Sequence, residues 1–338
     1  MRFWTLCRRC ATVPLREEKP MTKSKQDRPG NARRKVSRGM AVTASLALAS
    51  GALFGMAPAT AAPASGQGGA AAQCTGKGVP ASKISIQMFS YLTWGNEVGT
   101  EAVLAELADI GYRNIEPFGG TYEGRNAEEF SALLGKYGLK APTSHGSTDE
   151  GTFGDTIEFA KTVGQKYMGS GGSASPGIGS LEDTLATAET LNRLGEQSKK
   201  SGTGKIFVHN HQGEFTSQYP HPETGELTSA WELLAEYTNP RYVTFELDVL
   251  WAADSGVDVV QLIAEHGDRI ELLHIKDGLL NGDERATPTD VGEGEIDWTP
   301  ILDAAQSHVK YYVVERDFAP ATAEFARDSF EFLSCYTR

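Results

Sequence analysis

The sequence predicts an α/β fold, a single (β/α)₈ TIM barrel over residues 82–338, and three observations carry that expectation. Short β-branched or aromatic runs alternate with longer amphipathic stretches, as βαβ units around a parallel sheet require. Eight such pairs fit into roughly 250 residues, the usual size of this barrel. No Gly-x-Gly-x-x-Gly follows the first strand, which sets aside an open dinucleotide-binding sheet.

The eight strands are expected at 84–90, 112–116, 140–145, 167–171, 205–211, 242–248, 270–276 and 311–315. Helical spacing of apolar residues marks 101–110, 127–137, 153–163, 181–198, 229–237, 257–266 and 321–333. Gly111, Gly138, Gly164 and Gly267 read as stops behind four of these helices. The glycine-rich stretch 291–298 is expected to close the loop after the seventh strand and to cap the final helix, with Asp297 as N-cap candidate.

Residues 1–62 lie outside that pattern. Arg33, Arg34, Lys35 and Arg38 precede an Ala/Leu-rich run from Met40 to Met56, and Ala59-Thr60-Ala61 follows, the order of an export signal. The paired arginines resemble a twin-arginine signal. The apolar run is short and rich in alanine, so no stable membrane anchor is expected. Residues 63–81, rich in Ala, Gly, Ser and Gln, read as a flexible linker. The expected location is the envelope or exterior of a bacterial cell.

Removing the leader changes the electrostatics. Residues 1–62 carry 12 of the 32 basic and 3 of the 44 acidic side chains, so 20 and 41 remain, a net of −21. Such a surface repels phosphate backbones, and no nucleic-acid partner is expected. The same cut leaves Cys74 and Cys335 near opposite ends of the chain. Both ends of such a barrel lie at its bottom face, and in an oxidising compartment the two cysteines can pair. A homo-oligomer is compatible with the sequence.

Ionisable residues recur at the C-terminal ends of the strands, two apart, with apolar residues between them. Alternation puts His209 and His211 on one side of their strand, and likewise Glu246 with Asp248, His274 with Lys276, Asn114 with Glu116, and Thr143 with His145. With helices covering the outside, these members point into the barrel, where an unpaired charge costs several kcal/mol. A divalent metal is a partner that imidazole and carboxylate can share. Active sites of this fold lie at the same end of the strands. Glu246 and Lys276 are alternatively a structural ion pair, and His221, His266 and His308 read as surface residues.

Together, I-G-Y-R-N-I-E-P-F-G at 110–119, V-H-N-H-Q-G-E-F at 208–215, F-E-L-D-V-L-W-A at 245–252, L-L-H-I-K-D-G at 272–278 and V-G-E-G-E-I-D-W at 291–298 resemble the sugar phosphate isomerase/epimerase family of xylose isomerase-like barrels. The resemblance covers residues 84–335. It implies one divalent metal, Mn²⁺ first and Zn²⁺, Co²⁺, Mg²⁺ or Fe²⁺ as alternatives, held by His209, Asp248, His274 and Glu315. Many relatives carry a glutamate on strand five where this chain has His209, so His211 is the competing ligand.

The resemblance also implies isomerisation or epimerisation of a sugar or keto-sugar through a metal-stabilised enediolate. Glu116 and Glu315 are the expected acid/base residues, with His145, His211 and Lys276 orienting hydroxyls or oxyanions and Phe89, Trp94 and Trp251 stacking on the sugar. A non-phosphorylated sugar or glycoside is favoured, because no phosphate-cradling glycine loop with basic neighbours is present. A 3-keto-glycoside lyase or sugar dehydratase would use the same residues, and a non-catalytic sugar-binding protein is the rival from another class.

Overall fold

A computed structural model of the chain describes residues 78–282 and 285–336. The expected export segment, most of the expected linker, and Cys74 with its expected bond to Cys335 lie outside the described residues.

In chain order the strands are β1 (Ile84–Ile86), β2 (Thr143–His145), β3 (Tyr167–Gly169), β4 (Lys205–His209), β5 (Gln218–Pro220), β6 (Leu227–Ser229), β7 (Val243–Asp248), β8 (Ile270–Ile275), β9 (Asp277–Leu279), β10 (Thr287–Thr289) and β11 (Tyr311–Val314). Seven of them form one parallel sheet in the order β1-β11-β8-β7-β4-β3-β2. The pairs β5–β6 and β9–β10 are antiparallel ribbons outside it.

The second expected strand, 112–116, is not a regular strand. Residues 114–118 instead span the gap between β1 and β2 through isolated parallel bridges of Gln87 with Glu116, Asn114 with Lys140, and Phe118 with His145. The curled sheet is thereby closed into the expected barrel. Pro117 inside this segment has no N–H to give a ladder, which accounts for the interruption.

Helices follow the strands much as the apolar spacing requires. Phe153–Val163 has the expected bounds, and Thr100–Ile110, Ala127–Lys136, Leu181–Lys200, Ala230–Tyr237, Val259–His266 and Glu324–Cys335 differ from expectation at their ends. Asp297 does accept a hydrogen bond, from Thr299 N, but the helix it caps is Trp298–Ala305, which precedes β11 and is not the final one.

Gly111, Gly138 and Gly164 have the positive φ of helix stops. Gly267 does not: its φ is −58°, and a Cβ there would meet His308 and the Ile263 carbonyl at 2.7 Å. Close approach of the neighbouring chain selects that glycine.

Large apolar side chains fill the layer between sheet and helices, Trp231 against Phe245 being one example with ring centroids 4.8 Å apart. Among the described residues no helix is long and apolar enough to cross a membrane.

Candidate metal centre

Four side chains converge at the C-terminal end of the sheet because the strand register brings them level. Asp248 ends β7 opposite His274 of β8, His274 lies opposite Val313 of β11, and Glu315 follows two residues later. His209 ends β4 opposite Glu246. Asp248 is fixed on both sides: its Oδ1 accepts from Trp251 N, capping the helix Val249–Asp254, and its backbone exchanges hydrogen bonds with the Asn210 side chain. The Glu315 amide donates to Ile275 O, which anchors the residue beside β8.

One donor atom from each of His209, Asp248, His274 and Glu315 lies within 4.8 Å of the others, and all four residues are buried. His209 Nε2 is 3.5 Å from Asp248 Oδ2, and His274 Nδ1 is 3.7 Å from Asp248 Oδ2 and 2.9 Å from Glu315 Oε2. Both ring nitrogens of His209, Nδ1 of His274 and Oδ2 of Asp248 are buried with no hydrogen-bond partner. Polar atoms in that state cost about 1–3 kcal/mol each unless something joins them.

A second group lies deeper. His145 Nε2 is 2.7 Å from Glu246 Oε2 and 3.2 Å from Glu116 Oε1, and His274 Nε2 is 3.2 Å and 3.0 Å from the same two oxygens. The His145 and His274 rings are stacked, 5.4 Å apart. This group too has metal-binding composition. A neutral imidazole ligates through one nitrogen and donates from the other, however, so His274 serves one group as ligand and the other as donor. Two members of the first group, His209 and Glu315, line the cavity, against His145 alone in the second, whose Glu116 and Glu246 are fully buried. The first group is therefore the more open to an ion.

The two histidines differ electrostatically: burial disfavours a charge on His274, but Glu246 and Glu315, with Asp248 and Glu116, hold its pKa well above the usual value, so an ion there would have to displace its proton. Burial lowers the His209 pKa to about 4, keeping it neutral and able to ligate. Burial alone would raise the Asp248 and Glu315 pKa values, but the Lys276 ammonium together with the neighbouring histidines outweighs it and holds both well below the usual range. Lys276 sits 3.0 Å from Asp248 Oδ2, 2.8 Å from Glu315 Oε2 and 3.4 Å from Asp317 Oδ1, so one ammonium faces three carboxylates. Burial disfavours its charge, yet those carboxylates raise its pKa and keep it protonated. Burial and the Glu246 charge raise the pKa of Glu116, while His274 and His145 lower that of Glu246 against its burial. Two imidazoles and two carboxylates whose donor atoms converge within 4.8 Å of one another are a set that fits a divalent first-row cation.

The xylose isomerase-like TIM barrel family matches residues 104–334, which include all four of these side chains. The chain belongs to that family. Inosose dehydratase of Clostridium perfringens is 25% identical over 158 residues, 42% of this chain and 50% of that protein. The chain thus spans about half the length of the first curated relatives it matches. Inosose dehydratase of Geobacillus kaustophilus is 24% identical over 269 residues, 68% of this chain and 83% of the relative. A sugar phosphate isomerase/epimerase structure from Parabacteroides distasonis superposes with a TM-score of 0.63 at 24% identity, covering 79% of this chain and 98% of that one.

Against this family frame, the sequence-derived residues fall into two sets. The cavity, about 560 Å³, is lined by Phe89, His145, His209, His211, Lys276 and Glu315 among those expected. Asp248 and His274, fully buried, sit behind that lining, and three others lie elsewhere. Glu116 is beneath the floor, bound to Gln87 and His274. Trp94 packs on Tyr91, and Trp251 is buried in the core with Lys276 and Arg285 against its ring. The helix begun at Asp248 turns that indole inward, so its proximity to the strand end misleads.

Glu246 and Lys276 are not partners: Glu246 pairs with the two histidines and Lys276 with the carboxylates. His221, expected at the surface, is buried and paired with Glu236 at 3.0 Å. Asp317, Phe118 and Phe318 line the cavity without having been anticipated. Parity would have found the first two, since Asp317 is two residues beyond Glu315 and Phe118 two beyond Glu116.

Proposed function

We propose that this protein is a metal-dependent enzyme that removes the proton beside the carbonyl of a non-phosphorylated keto-sugar, and that loss of a β-substituent, as in a dehydratase or lyase, follows. The observation that carries the reading is the convergence of buried donor atoms of His209, Asp248, His274 and Glu315, with both His209 ring nitrogens lacking a hydrogen bond, at a cavity lined by His209, Glu315, His211 and Lys276. When bound there, a divalent cation, Mn²⁺ first, supplies Lewis-acid polarisation of the carbonyl.

The chain's own residues divide the remaining work. Lys276, held protonated, faces the cavity and stabilises negative charge that develops on the carbonyl oxygen. Glu315 is drawn to Lys276 and His274, which makes it a poor base. His211 lines the cavity outside the metal set and has no described ion-pair partner, so it carries the proton. His145 is tied to Glu246 and orients substrate hydroxyls from the wall.

Epimerisation needs proton carriers on both faces of one carbon. Among the cavity-lining residues His211 is the imidazole outside the metal set and without a described ion-pair partner, which leaves one such carrier and favours elimination. The curated relatives named inosose dehydratase support the same outcome. Isomerisation shares the first step and is the second reading. We place the activity outside the cytoplasm, on the leader pattern of residues 1–62.

The test is incubation of Mn²⁺-loaded protein with keto-sugars and 3-keto-glycosides in D₂O. Deuterium uptake or release of a β-substituent, lost in His211→Gln at full metal occupancy, supports the proposal. Sugar binding with neither reaction across the panel sinks it in favour of a binding protein.

A further inference from the structure

The cavity has two unlike halves, and the fold assigns them to different arcs of the wall. The metal-binding set comes from β4, β7, β8 and β11. Phe89 follows β1, Phe118 ends the segment that spans β1 and β2, and Phe318 follows β11, so three phenylalanines come from three adjacent positions of the closed sheet. Phe89 and Phe118 already touch edge to face, with ring centroids 5.5 Å apart.

Phe318 is the informative member. It is 79% exposed, the most exposed large apolar side chain among the described residues. Its φ is +58°, a conformation that costs a non-glycine residue of order 1–2 kcal/mol. The flanking residues hold it there: Arg316 pairs with Asp290, and Asp317 with Arg285 and Lys276. A strained backbone that presents a bare phenyl ring to a cavity mouth loses on both counts unless the ring is covered by a ligand.

The cavity volume, about 560 Å³, exceeds what one sugar ring fills and lies in the range occupied by drug-sized ligands. A sugar ring can stack on one phenyl face, but three rings from adjacent positions offer no hydrogen bond of their own, so a flat apolar group covers them more completely than a second sugar whose hydroxyls need partners. Resting on the proton-abstraction reading above, we infer that the substrate is a keto-glycoside with an aromatic aglycone, the sugar at the metal-binding floor and the aglycone against Phe89, Phe118 and Phe318.

The chemistry balances for a 3-keto-glycoside. His211 takes the C2 proton, the C–H electron pair becomes a C1–C2 double bond, and the C1–O bond breaks with its pair on the aglycone oxygen. That oxygen takes up a proton and departs as a phenol, which leaves an unsaturated ketone and no change in oxidation state overall. The phenoxide is a better leaving group than hydroxide, in keeping with an apolar arc placed to receive it.

Binding separates this inference from the reaction. Isothermal titration of Mn²⁺-loaded protein uses phenyl glucoside, methyl glucoside and cellobiose, none of which has the carbonyl needed to react. Phenyl glucoside is expected to bind at least tenfold tighter than the other two. Phe318→Ala and Phe89→Ala should each lower its affinity about tenfold or more while changing methyl glucoside affinity far less. Equal affinities in the parent protein, cellobiose binding as tightly as phenyl glucoside, or an undiminished phenyl preference in both variants would overturn it. A phenyl preference without phenol release from phenyl 3-keto-glucoside would leave the aromatic subsite standing and sink the reaction.

Discussion

His209 Nε2 and Asp248 Oδ2 stand 3.5 Å apart, both buried; the oxygen meets the Lys276 ammonium at 3.0 Å, whereas neither ring nitrogen of His209 has a hydrogen bond. A cation shared by the two side chains would give that imidazole its partner. Added Mn²⁺ should therefore bind with one-to-one stoichiometry and raise the melting temperature. At a hundredfold excess over Kd the gain is about 2.7 kcal/mol, several degrees for a domain of this size. Asp248→Ala and His209→Ala should abolish the shift, read by calorimetry with metal analysis.

In the metal-free protein the same histidine makes stability depend on pH. Its folded pKa is about 4, against about 6.5 when unfolded, so between those values the unfolded chain binds a proton that the native one does not. The contribution is present above pH 6.5 and is lost as the pH falls towards 4, of order 3 kcal/mol. His209→Gln should flatten that part of the urea-denaturation profile.

Glu116 distinguishes positioning from catalysis. It accepts from His274 Nε2 at 3.0 Å and does not line the cavity, so its task is to orient the ring whose other nitrogen faces Asp248 and Glu315. Glu116→Gln should weaken metal affinity about 10- to 100-fold and recover most of its activity at saturating metal. A large loss of kcat at full occupancy would restore the acid/base role that the sequence suggests.

Lys276→Met removes the ammonium shared by Asp248, Glu315 and Asp317. Breaking a buried ion pair costs about 3–5 kcal/mol, so the metal-free variant should be much less stable, and Mn²⁺ should return part of the loss. Turnover should stay low even then, because the charge facing the carbonyl oxygen is gone. Thermal melts with and without metal, followed by rate measurements on the loaded variant, check both points.

Alternation along strands made the site legible, since the side on which a residue falls follows from its parity alone. It brought out His209, Asp248, His274 and Lys276 from the residues alone, whereas Glu315 entered through the family resemblance. What parity does not carry is depth: Glu116 and Phe118 share a side, yet one lies under the floor and the other at the cavity wall. Depth is set by how the strands are staggered around the barrel, which the local pattern does not encode. Trp251 failed for another reason, because a helix cap on Asp248 reversed the chain just before it. Phe318 sits in a loop with no period to read, and its positive φ has no signature in the sequence.

The segment 114–118 joins the two edges of the sheet through only three isolated bridges. Glu116 lies at one of those bridges and also grips His274 from across the barrel. The seam of the cylinder and the proposed seat of an ion thus share one contact, so an ion that tightens His274 should also draw the wall shut. Loading the centre should stiffen the scaffold at its loosest stave, and a protein stripped of its ion should begin to open there.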